Sequence, residues 1–176
     1  MPMTSPSRIV YRASRFHVEK VEQRLEDGST LVKQIVRHPG AVVVLPIVSD
    51  ESICMIETFR PAIQKWLWEL PAGTMEPPEP ADSLARRELE EETGYRCQKI
   101  THVHSFAMSP GILDERMHFF VATELSEGPA RREPGEWISN RLVTWKQVDQ
   151  MLRDGKIIDA KTLVALLWYL RYRTHA

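Results

Sequence analysis

One acidic segment constrains the fold of this 176-residue chain more than any other. It lies between Pro80 and Gly94 and contains four glutamates, Glu88 and residues 90–92. Pro80 suits the first position of a helix, and Gly94 suits the residue just past its end. The sequence therefore predicts a helix over about residues 80–93 that carries a dense row of negative charge.

Three of these glutamates are predicted to lie along one edge of the helix. Glu92 follows Glu88 by four positions and Glu91 follows it by three, which are the spacings of neighbours on a helix surface. Their carboxylates repel one another, so the arrangement favours a bound divalent cation. Hard oxygen ligands around an open octahedral site suit Mg²⁺ or Mn²⁺. A solvated acidic face is the alternative, and it is the interpretation we favour for Glu90, which points away from the other three.

The residues around this helix match a longer pattern of fixed spacing. From Gly73 the chain reads GTMEPPEPADSLARRELEEETGY, which fits G-x5-E-x7-R-E-U-x-E-E-x-G-U, where U is a bulky apolar residue. The fixed residues are Gly73, Glu79, Arg87, Glu88, Leu89, Glu91, Glu92, Gly94 and Tyr95. From average residue usage, a chance match in a chain of this length is on the order of one in ten million. This pattern is the Nudix box, and the chain resembles a Nudix hydrolase.

The resemblance implies a fold, a reaction and a first set of site residues. The fold would be an α/β/α sandwich with a mixed sheet, and the reaction would be hydrolysis of a nucleoside diphosphate linked to another group. Mg²⁺ would be the cofactor, with Mn²⁺ as a substitute. Its ligands would be Glu88, Glu91, Glu92 and the main-chain carbonyl of Ala72. Arg87 would hold one of these carboxylates in place and so belong, with Glu92, to the catalytic residues, and Glu79 would support the site.

A loop outside the box resembles the ADP-ribose pyrophosphatase branch of the family. Pro110 lies sixteen positions after Gly94 in the stretch SPGILDER, and Glu115 follows on the same loop. In that branch a loop glutamate acts near the attacking water, so Glu115 is the candidate general base. Pro110 and Gly111 would then lie at the substrate. A Ser-Pro-Gly sequence alone is a turn, which is the structural alternative.

The stretch ETFRPAIQKWLWELPAG, just before the box, is similar to the same branch. The resemblance implies that Arg60 contacts the diphosphate or the terminal sugar, and that Glu69 contacts the substrate or the surroundings of the metal. Glu57 stands where glutamine is usual, and EPPEP replaces a glycine-rich loop. Trp66 and Trp68 alternate along a predicted strand, so we expect core or dimer-interface positions, with base stacking as the alternative.

The two ends of the chain are predicted to have different roles. Residues 1–38 should form a small antiparallel β segment, because Asp27-Gly28 joins two amphipathic stretches as a hairpin turn. In the related branch this segment is exchanged between two subunits, which implies a homodimer.

Residues 39–176 would form the Nudix domain. Its predicted elements are a strand in AVVVLPIVS buried on both faces, a partner strand in SICMIETFR, a strand in KWLWE running into a loop at residues 71–73, strands in KITHVHSFAMS and MHFFVATEL, and a last helix in DAKTLVALLWYLRYR.

Composition and charge exclude several classes of partner. Lys and Arg number 23 against 24 Asp and Glu, so no basic surplus indicates nucleic acid. No apolar run approaches the roughly 18 residues needed to span a membrane. The cysteines form no CxxC pair, and the first residues contain no apolar signal region, so we expect a cytoplasmic protein. His102 and His104 should share one face of a strand, where packing is favoured over a zinc site.

The sequence thus predicts a Mg²⁺-dependent hydrolase of ADP-ribose or a related nucleoside diphosphate sugar. Another sugar nucleotide such as GDP-mannose is the nearest alternative, with the same chemistry. Hydrolysis of nucleoside triphosphates is a second alternative, against which the loop of residues 110–115 argues. A nucleotide-binding Nudix module without catalysis, and a purely structural acidic helix, are the alternatives of a different class.

Overall fold

The computed structural model describes residues 7–132, 135 and 137–172. Within these residues the chain forms ten strands and three helices. In chain order they are β1 (Ser7–Arg12), β2 (His17–Arg24), β3 (Thr30–Arg37), β4 (Ala41–Ser49), β5 (Ser52–Arg60), β6 (Lys65–Glu69), β7 (Ala72–Thr74), α1 (Ala81–Thr93), β8 (Arg96–Ala107), β9 (Arg116–Ser126), β10 (Ile138–Thr144), α2 (Trp145–Arg153) and α3 (Ala160–Tyr172).

The first three strands form a separate antiparallel sheet in the order β1-β2-β3. The hairpin between β2 and β3 turns at Asp27 and Gly28. Gly28 has a φ of 84°, a conformation that favours glycine, and the Ser29 amide donates to Oδ1 of Asp27 at 2.9 Å. The predicted N-terminal β extension and its hairpin are therefore confirmed.

The larger sheet is mixed and has the order β10-β5-β4-β9-β8, with β6 added beside β5 and β7 beside β4. The central pair β4 and β9 is parallel, and the other pairs are antiparallel. On β4 the side chains of Val42 and Val44 pack in the cluster that contains α1, while Val43 and Leu45 pack in the cluster on the other face. All four side chains are fully buried. The continuous β-branched run thus encodes a strand buried on both faces, as predicted.

Helices cover both faces of this sheet. Leu84 and Leu89 of α1 pack on one face, whereas Val148 of α2 and Leu166 of α3 pack on the other. This arrangement is the predicted α/β/α sandwich. None of the described helices has the length and apolar character that crossing a bilayer requires.

The ends of α1 are fixed by its surroundings. Pro80 precedes the helix as its N-cap with an extended ψ of 146°, so the expectation that it is the first helical residue was wrong by one position. Its carbonyl accepts the amide of Leu84, which is the first bond of the helix. At the other end Gly94 has a φ of 80°, and an added Cβ would lie 2.2 Å from the carbonyl oxygen of Gly128.

The loop after β9 supplies donors to the last turn of α1. The Arg131 amide donates to the carbonyl of Glu91 at 2.9 Å, and Nε of Arg132 donates to the carbonyl of Glu92 at 3.2 Å. Nδ2 of Asn140, on β10, donates to the carbonyl of Thr93. Carbonyls at a helix end have no partner inside the helix, so these three groups take that role.

Three elements differ from the sequence prediction, and one of them is strand β10 (Ile138–Thr144), to which the sequence analysis assigned no structure. We expected a loop at residues 71–73, but two of these residues belong to the short strand β7, because β5 pairs with only one end of β4 and leaves the rest of that edge open. Helix α2 was not predicted. Its signal was Thr144 followed by Gln147, whose side chains and backbone amides bond reciprocally in a capping box.

The expectation that His102 and His104 share a face was wrong. A β-bulge between them sets His102 opposite Phe120 and His104 opposite Phe119. Because consecutive residues of a strand point to opposite faces, the two histidines do too. His102 is exposed and bonds to the Ser105 hydroxyl at 2.9 Å, and its ring packs edge-on against the buried Phe120 at a centroid distance of 5.2 Å, as the packing interpretation expects.

Candidate active site

A cavity of about 300 Å³ lies where α1, β7 and the start of β9 meet. It brings together side chains that are far apart in sequence. The predicted site residues that line it are Arg60, Ala72, Arg87, Glu88, Glu91, Glu92 and Glu115, and residues that we did not predict also line it, among them Arg15, Glu76, Asp159 and Lys161. We call this cavity the cleft.

Arg87 binds several carboxylates of the cleft at once. Its Nη1 donates to Glu91 at 2.9 Å and lies 3.3 Å from an oxygen of Glu88. Its Nη2 donates to Glu79 at 3.0 Å. A guanidinium that bonds two carboxylates and contacts a third fixes their relative positions. This is the geometry that the predicted roles of Arg87 and Glu79 require.

Two further contacts join α1 to β7. The Ala72 amide donates to Oε2 of Glu92 at 3.0 Å, and the Glu92 residue is only 5% exposed. Gly73 lies directly against Glu88, since an added Cβ would be 2.1 Å from the carboxyl carbon of that side chain. Gly73 is therefore needed because any larger residue at this position would displace the Glu88 carboxylate.

Glu115 lines the cleft from the end that precedes β9. Its Oε1 lies 3.6 Å from Nδ1 of His38, a residue that the sequence analysis did not single out. Pro110 and Gly111 do not line the cleft. They are exposed in a turn where the amides of Ile112 and Leu113 donate to the carbonyl of Ser109, which is the structural alternative given above.

A cluster of opposite charges borders the same cleft and is described here as the Glu69 cluster. It consists of Arg60, Glu69, Asp159 and Lys161. Arg60 donates to both oxygens of Glu69, at 2.7 Å from Nε and 2.6 Å from Nη2. Nζ of Lys161 bonds to Glu69 and donates to Asp159 at 3.0 Å. Glu69 itself is fully buried and lies behind the wall of the cleft.

The sequence of the chain is similar to that of a known protein family. Residues 36–166 match the NUDIX domain. The chain belongs to the Nudix family. A methanol dehydrogenase activator of Bacillus methanolicus is 40% identical over 157 residues, which cover 88% of this Nudix hydrolase and 84% of that protein. An ADP-ribose pyrophosphatase of Bacillus subtilis (strain 168) is 39% identical over 152 residues, covering 85% and 81%.

A solved structure shares the fold over nearly the whole chain. The crystal structure of an ADP compounds hydrolase superposes with a TM-score of 0.85 and covers 98% of this Nudix hydrolase and 94% of its own chain. The sequence identity is 22%, so this likeness concerns the fold. The N-terminal sheet and the sandwich are thus both part of a known architecture.

Nudix hydrolases generally use a divalent metal ion, and the donors of this cleft suit one in kind. Glu88, Glu91, Glu92 and Glu115 all line it and offer hard carboxylate oxygens. Within residues 7–132, 135 and 137–172, however, no three His, Cys, Asp or Glu side chains are arranged around a common point as ligands. Arg87 binds Glu91, and the Ala72 amide binds Glu92, each through one of the two carboxylate oxygens.

Sequence reasoning missed Asp159 and Lys161 as site residues of this Nudix hydrolase. The sequence analysis placed both residues in the segment of the last helix, DAKTLVALLWYLRYR, and gave them no role. The available signal was the pair of opposite charges two positions apart at a helix N-terminus. That signal is common on protein surfaces, and it acquires meaning only when the fold sets it beside Glu69.

The two tryptophans of β6, Trp66 and Trp68, lie in different environments. Trp68 packs against the core on the α2 and α3 side of the sheet. Trp66 is 54% exposed and forms an aromatic group with Phe59 and with Trp137, whose ring is stacked on it at a centroid distance of 6.5 Å. The core interpretation therefore fits Trp68, and Trp66 remains a candidate for an interface or for base stacking.

The Glu69 cluster predicts how the stability of this Nudix hydrolase depends on pH. Burial alone would raise the pKa of Glu69, but the Arg60 hydrogen bonds and the Lys161 charge outweigh it and hold that pKa below its ordinary value of 4.5. A carboxylate with a lowered pKa stabilises the fold above its unfolded-state pKa, and this contribution is lost as the pH falls through the folded-state pKa. The contribution of Glu69 is therefore complete above about pH 4.5 and disappears at lower pH.

Replacing Glu69 by glutamine should lower the free energy of unfolding by about 3 kcal/mol at pH 7, because the buried Lys161 and the partly exposed Arg60 lose the negative charge that both of them bind. The difference from wild type should shrink below about pH 4.5. Urea unfolding between pH 3 and pH 7 measures both effects. Glu57→Gln is the matched control, since Glu57 forms an exposed ion pair with Arg141 and should change stability by less than about 1 kcal/mol. A constant difference across the whole pH range would contradict the prediction.

Proposed function

We propose that this Nudix hydrolase cleaves the diphosphate bond of ADP-ribose or a related nucleoside diphosphate sugar, with Mg²⁺ as its metal ion. One observation carries the proposal: the cleft is lined both by the glutamates of α1 and by Arg60, whose side chain is 44% exposed. A metal ion and a diphosphate need these two kinds of surface side by side. The 39% identical protein named ADP-ribose pyrophosphatase supports the choice of substrate.

The residues of the cleft have separate roles in the proposed reaction. Glu88, Glu91 and Glu92, with the carbonyl of Ala72, hold the metal ion, and Arg87 keeps these carboxylates in position. When bound, the ion offsets negative charge on the diphosphate and makes water a better nucleophile. Arg60 binds a phosphate oxygen by its guanidinium. Glu69 acts on the substrate by holding Arg60, and Pro110 and Gly111 shape the loop that carries Glu115.

Glu115 accepts the proton of the attacking water. The water oxygen forms a bond to one phosphorus, and the bond between that phosphorus and the bridging oxygen breaks. The bridging oxygen leaves with the other phosphate. With ADP-ribose the products are AMP and ribose 5-phosphate.

The N-terminal segment, residues 1–38, is proposed to join two copies of the chain, with residues 39–176 as the catalytic domain. The described part of this segment exposes several large apolar side chains, which are Ile9, Val10, Tyr11, Phe16, Leu25, Leu31 and Val32. Exposed apolar surface of this kind marks interaction sites. A homodimer in the cytoplasm, without nucleic acid or membrane partners, completes the proposal.

A second candidate function follows from the 40% identical relative named methanol dehydrogenase activator. Nicotinamide dinucleotides, the usual cofactors of dehydrogenases, contain the same diphosphate group that the cleft is proposed to bind. Hydrolysis of such a dinucleotide would use the same residues and differ only in the group beyond the second phosphate.

A panel of substrates tests these proposals directly. It contains ADP-ribose, GDP-mannose, UDP-glucose, NADH, diadenosine polyphosphates and 8-oxo-dGTP, each with Mg²⁺, with Mn²⁺ and with EDTA. We expect the highest kcat/KM for ADP-ribose and no hydrolysis in EDTA. A preference for GDP-mannose or NADH would retain the mechanism and replace the substrate. Activity on triphosphates alone would contradict the assignment of the loop of Glu115, and binding without hydrolysis would favour the non-catalytic module.

A further inference from the structure

The start of α3 is attached to the end of β6 by side chains and backbone together. Oδ2 of Asp159 accepts the amide of Thr162 at 3.0 Å and so caps the helix. The Thr162 hydroxyl accepts the amide of Leu70 at 2.9 Å, and Thr162 is fully buried. Lys161 lies between these two anchoring residues, so the backbone holds it at the end of β6.

Lys161 takes part in the charge balance of a carboxylate that has no access to water. Glu69 is 0% exposed and the Lys161 side chain 10% exposed. A buried carboxylate is tolerated only when cations and hydrogen bonds compensate it, and here Arg60 and Lys161 both do so. Asp159 in turn pairs with Lys161. The Glu69 cluster therefore contains two positive and two negative groups whose positions depend on one another.

The same cluster determines the geometry of Arg60. Its Nε and Nη2 are both committed to Glu69, whereas Nη1 has no hydrogen-bond partner among the residues that the structure describes. The Arg60 side chain is 44% exposed and lines the cleft with the α1 glutamates. Arginine loses less freedom on binding an anion when one side of its guanidinium is already fixed. Glu69 thus fixes Arg60 as a donor on the wall of the cleft, and Lys161 fixes Glu69.

We propose that Lys161 is a positioning residue for substrate binding, which holds Arg60 in place through Glu69. The proposal rests on the function proposed above, because it takes the ligand of Arg60 to be a phosphate of a nucleoside diphosphate. Lys161 does not itself bind this phosphate but acts on it through Glu69 and Arg60. Its loss leaves Glu69 with one cation instead of two, so the Arg60–Glu69 pair shifts and the free donors of Arg60 leave the position that the phosphate needs.

Lys161→Met tests the proposal, with Lys156→Met as its matched control. Lys156 lies five positions earlier, is 60% exposed and pairs with the surface residue Asp154. We expect the KM for ADP-ribose to rise about tenfold or more in Lys161→Met, because displacements near 1 Å have effects of this size or larger. The affinity for Mn²⁺, measured by titration calorimetry, should stay within about threefold, since Lys161 does not contact the α1 glutamates. Lys156→Met should equal wild type in both.

Combining substitutions distinguishes positioning from direct contact. If Lys161 acts through Arg60, then Arg60→Met and the double variant Arg60→Met, Lys161→Met should have nearly the same KM. If the two effects on KM multiply, Lys161 contacts the substrate by itself and the proposal is overturned. An unchanged KM in Lys161→Met, together with a lower melting temperature, would assign Lys161 to stability alone and overturn it as well.

Lys161→Gln is the second test if Lys161→Met does not fold. Glutamine keeps a side-chain hydrogen-bond donor but removes the positive charge that faces Glu69. A severalfold rise in KM supports the proposal, and a wild-type KM counts against it.

The proposal can fail separately from the proposed function. Absence of metal-dependent hydrolysis in wild type would refute the function, and the affinity for ADP-ribose in Mg²⁺ would then be compared between wild type and Lys161→Met by calorimetry. Equal affinities would refute the role of Lys161, whether or not the wild type hydrolyses the ligand. Weaker binding by Lys161→Met would support it.

Discussion

Replacing Glu92 by glutamine should lower kcat by at least about a hundredfold and leave the fold intact. Residues that only support a metal ligand cost about 10–100-fold when they are removed, so loss of a ligand should cost at least as much. Glutamine has nearly the same shape, and its carbonyl oxygen can still accept the Ala72 amide that Glu92 now binds. The substitution therefore removes a buried charge and retains a buried hydrogen bond.

Steady-state kinetics with Mg²⁺ and calorimetry with Mn²⁺ would measure the effect of Glu92→Gln. Glu90→Gln on the same helix is the matched control. Glu90 does not line the cleft, in agreement with the expectation that it points away from the other three glutamates, but it forms ion pairs with Arg96 and Arg131 and its side chain is only 21% exposed, so it is not the solvated carboxylate that we expected. Its replacement should leave kcat within about threefold of wild type, because the Glu90 carboxylate bonds to the side chains of Arg96 and Arg131 and not to a group that lines the cleft. Near-normal activity and metal affinity in Glu92→Gln would refute the proposed metal site.

Replacing Gly73 by alanine should weaken metal binding tenfold or more without unfolding the protein. The new Cβ would stand 2.1 Å from the Glu88 carboxyl carbon, a distance at which the carboxylate has to move. The group in the way is the end of a flexible side chain, so the fold can adapt while the ligand loses its position. Ligands need to be held within about 0.5 Å of their productive geometry, which this displacement exceeds.

Gly111→Ala is the matched control for the measurement of metal affinity. A Cβ at Gly111 would meet nothing within 4 Å, and Gly111 does not line the cleft. Titration of both variants with Mn²⁺ measures the effect on metal affinity, and thermal unfolding measures the effect on the stability of the fold. A Gly73→Ala protein with wild-type Mn²⁺ affinity would show that Glu88 moves without consequence for the ion. It would remove Glu88 from the proposed ligands.

The acidic helix and its neighbours could be predicted from sequence because local rules determine them. The Pro80 and Gly94 boundaries, the hairpin at Gly28 and the buried strand Ala41–Ser49 all follow from short patterns. Even the approach of Arg87 to Glu91 follows from helical spacing, since the two residues are four positions apart. These features need no knowledge of the rest of the fold.

Features that depend on how strands pair across the sheet could not be predicted in the same way. Strand Ala72–Thr74 exists only because β5 leaves an edge of β4 open, and no local pattern reports that. The bulge between His102 and His104 places these two side chains on opposite faces of the strand, although no change in the polar and apolar pattern of the sequence marks it. Lys161 meets Glu69 across 92 positions, so only the folded chain reveals the pair.

The contacts at the end of α1 also bear on how this enzyme can diversify. Surface loops usually accept insertions and deletions freely, and families acquire new specificities in that way. The loop after β9 is less free, because its Arg131 and Arg132 bind the carbonyls of the same turn that carries Glu91 and Glu92. An insertion or deletion between Gly128 and Arg132 would remove the hydrogen-bond donors of that turn. Selection for new substrates should therefore leave this loop nearly constant in length and draw its variation from other parts of the rim.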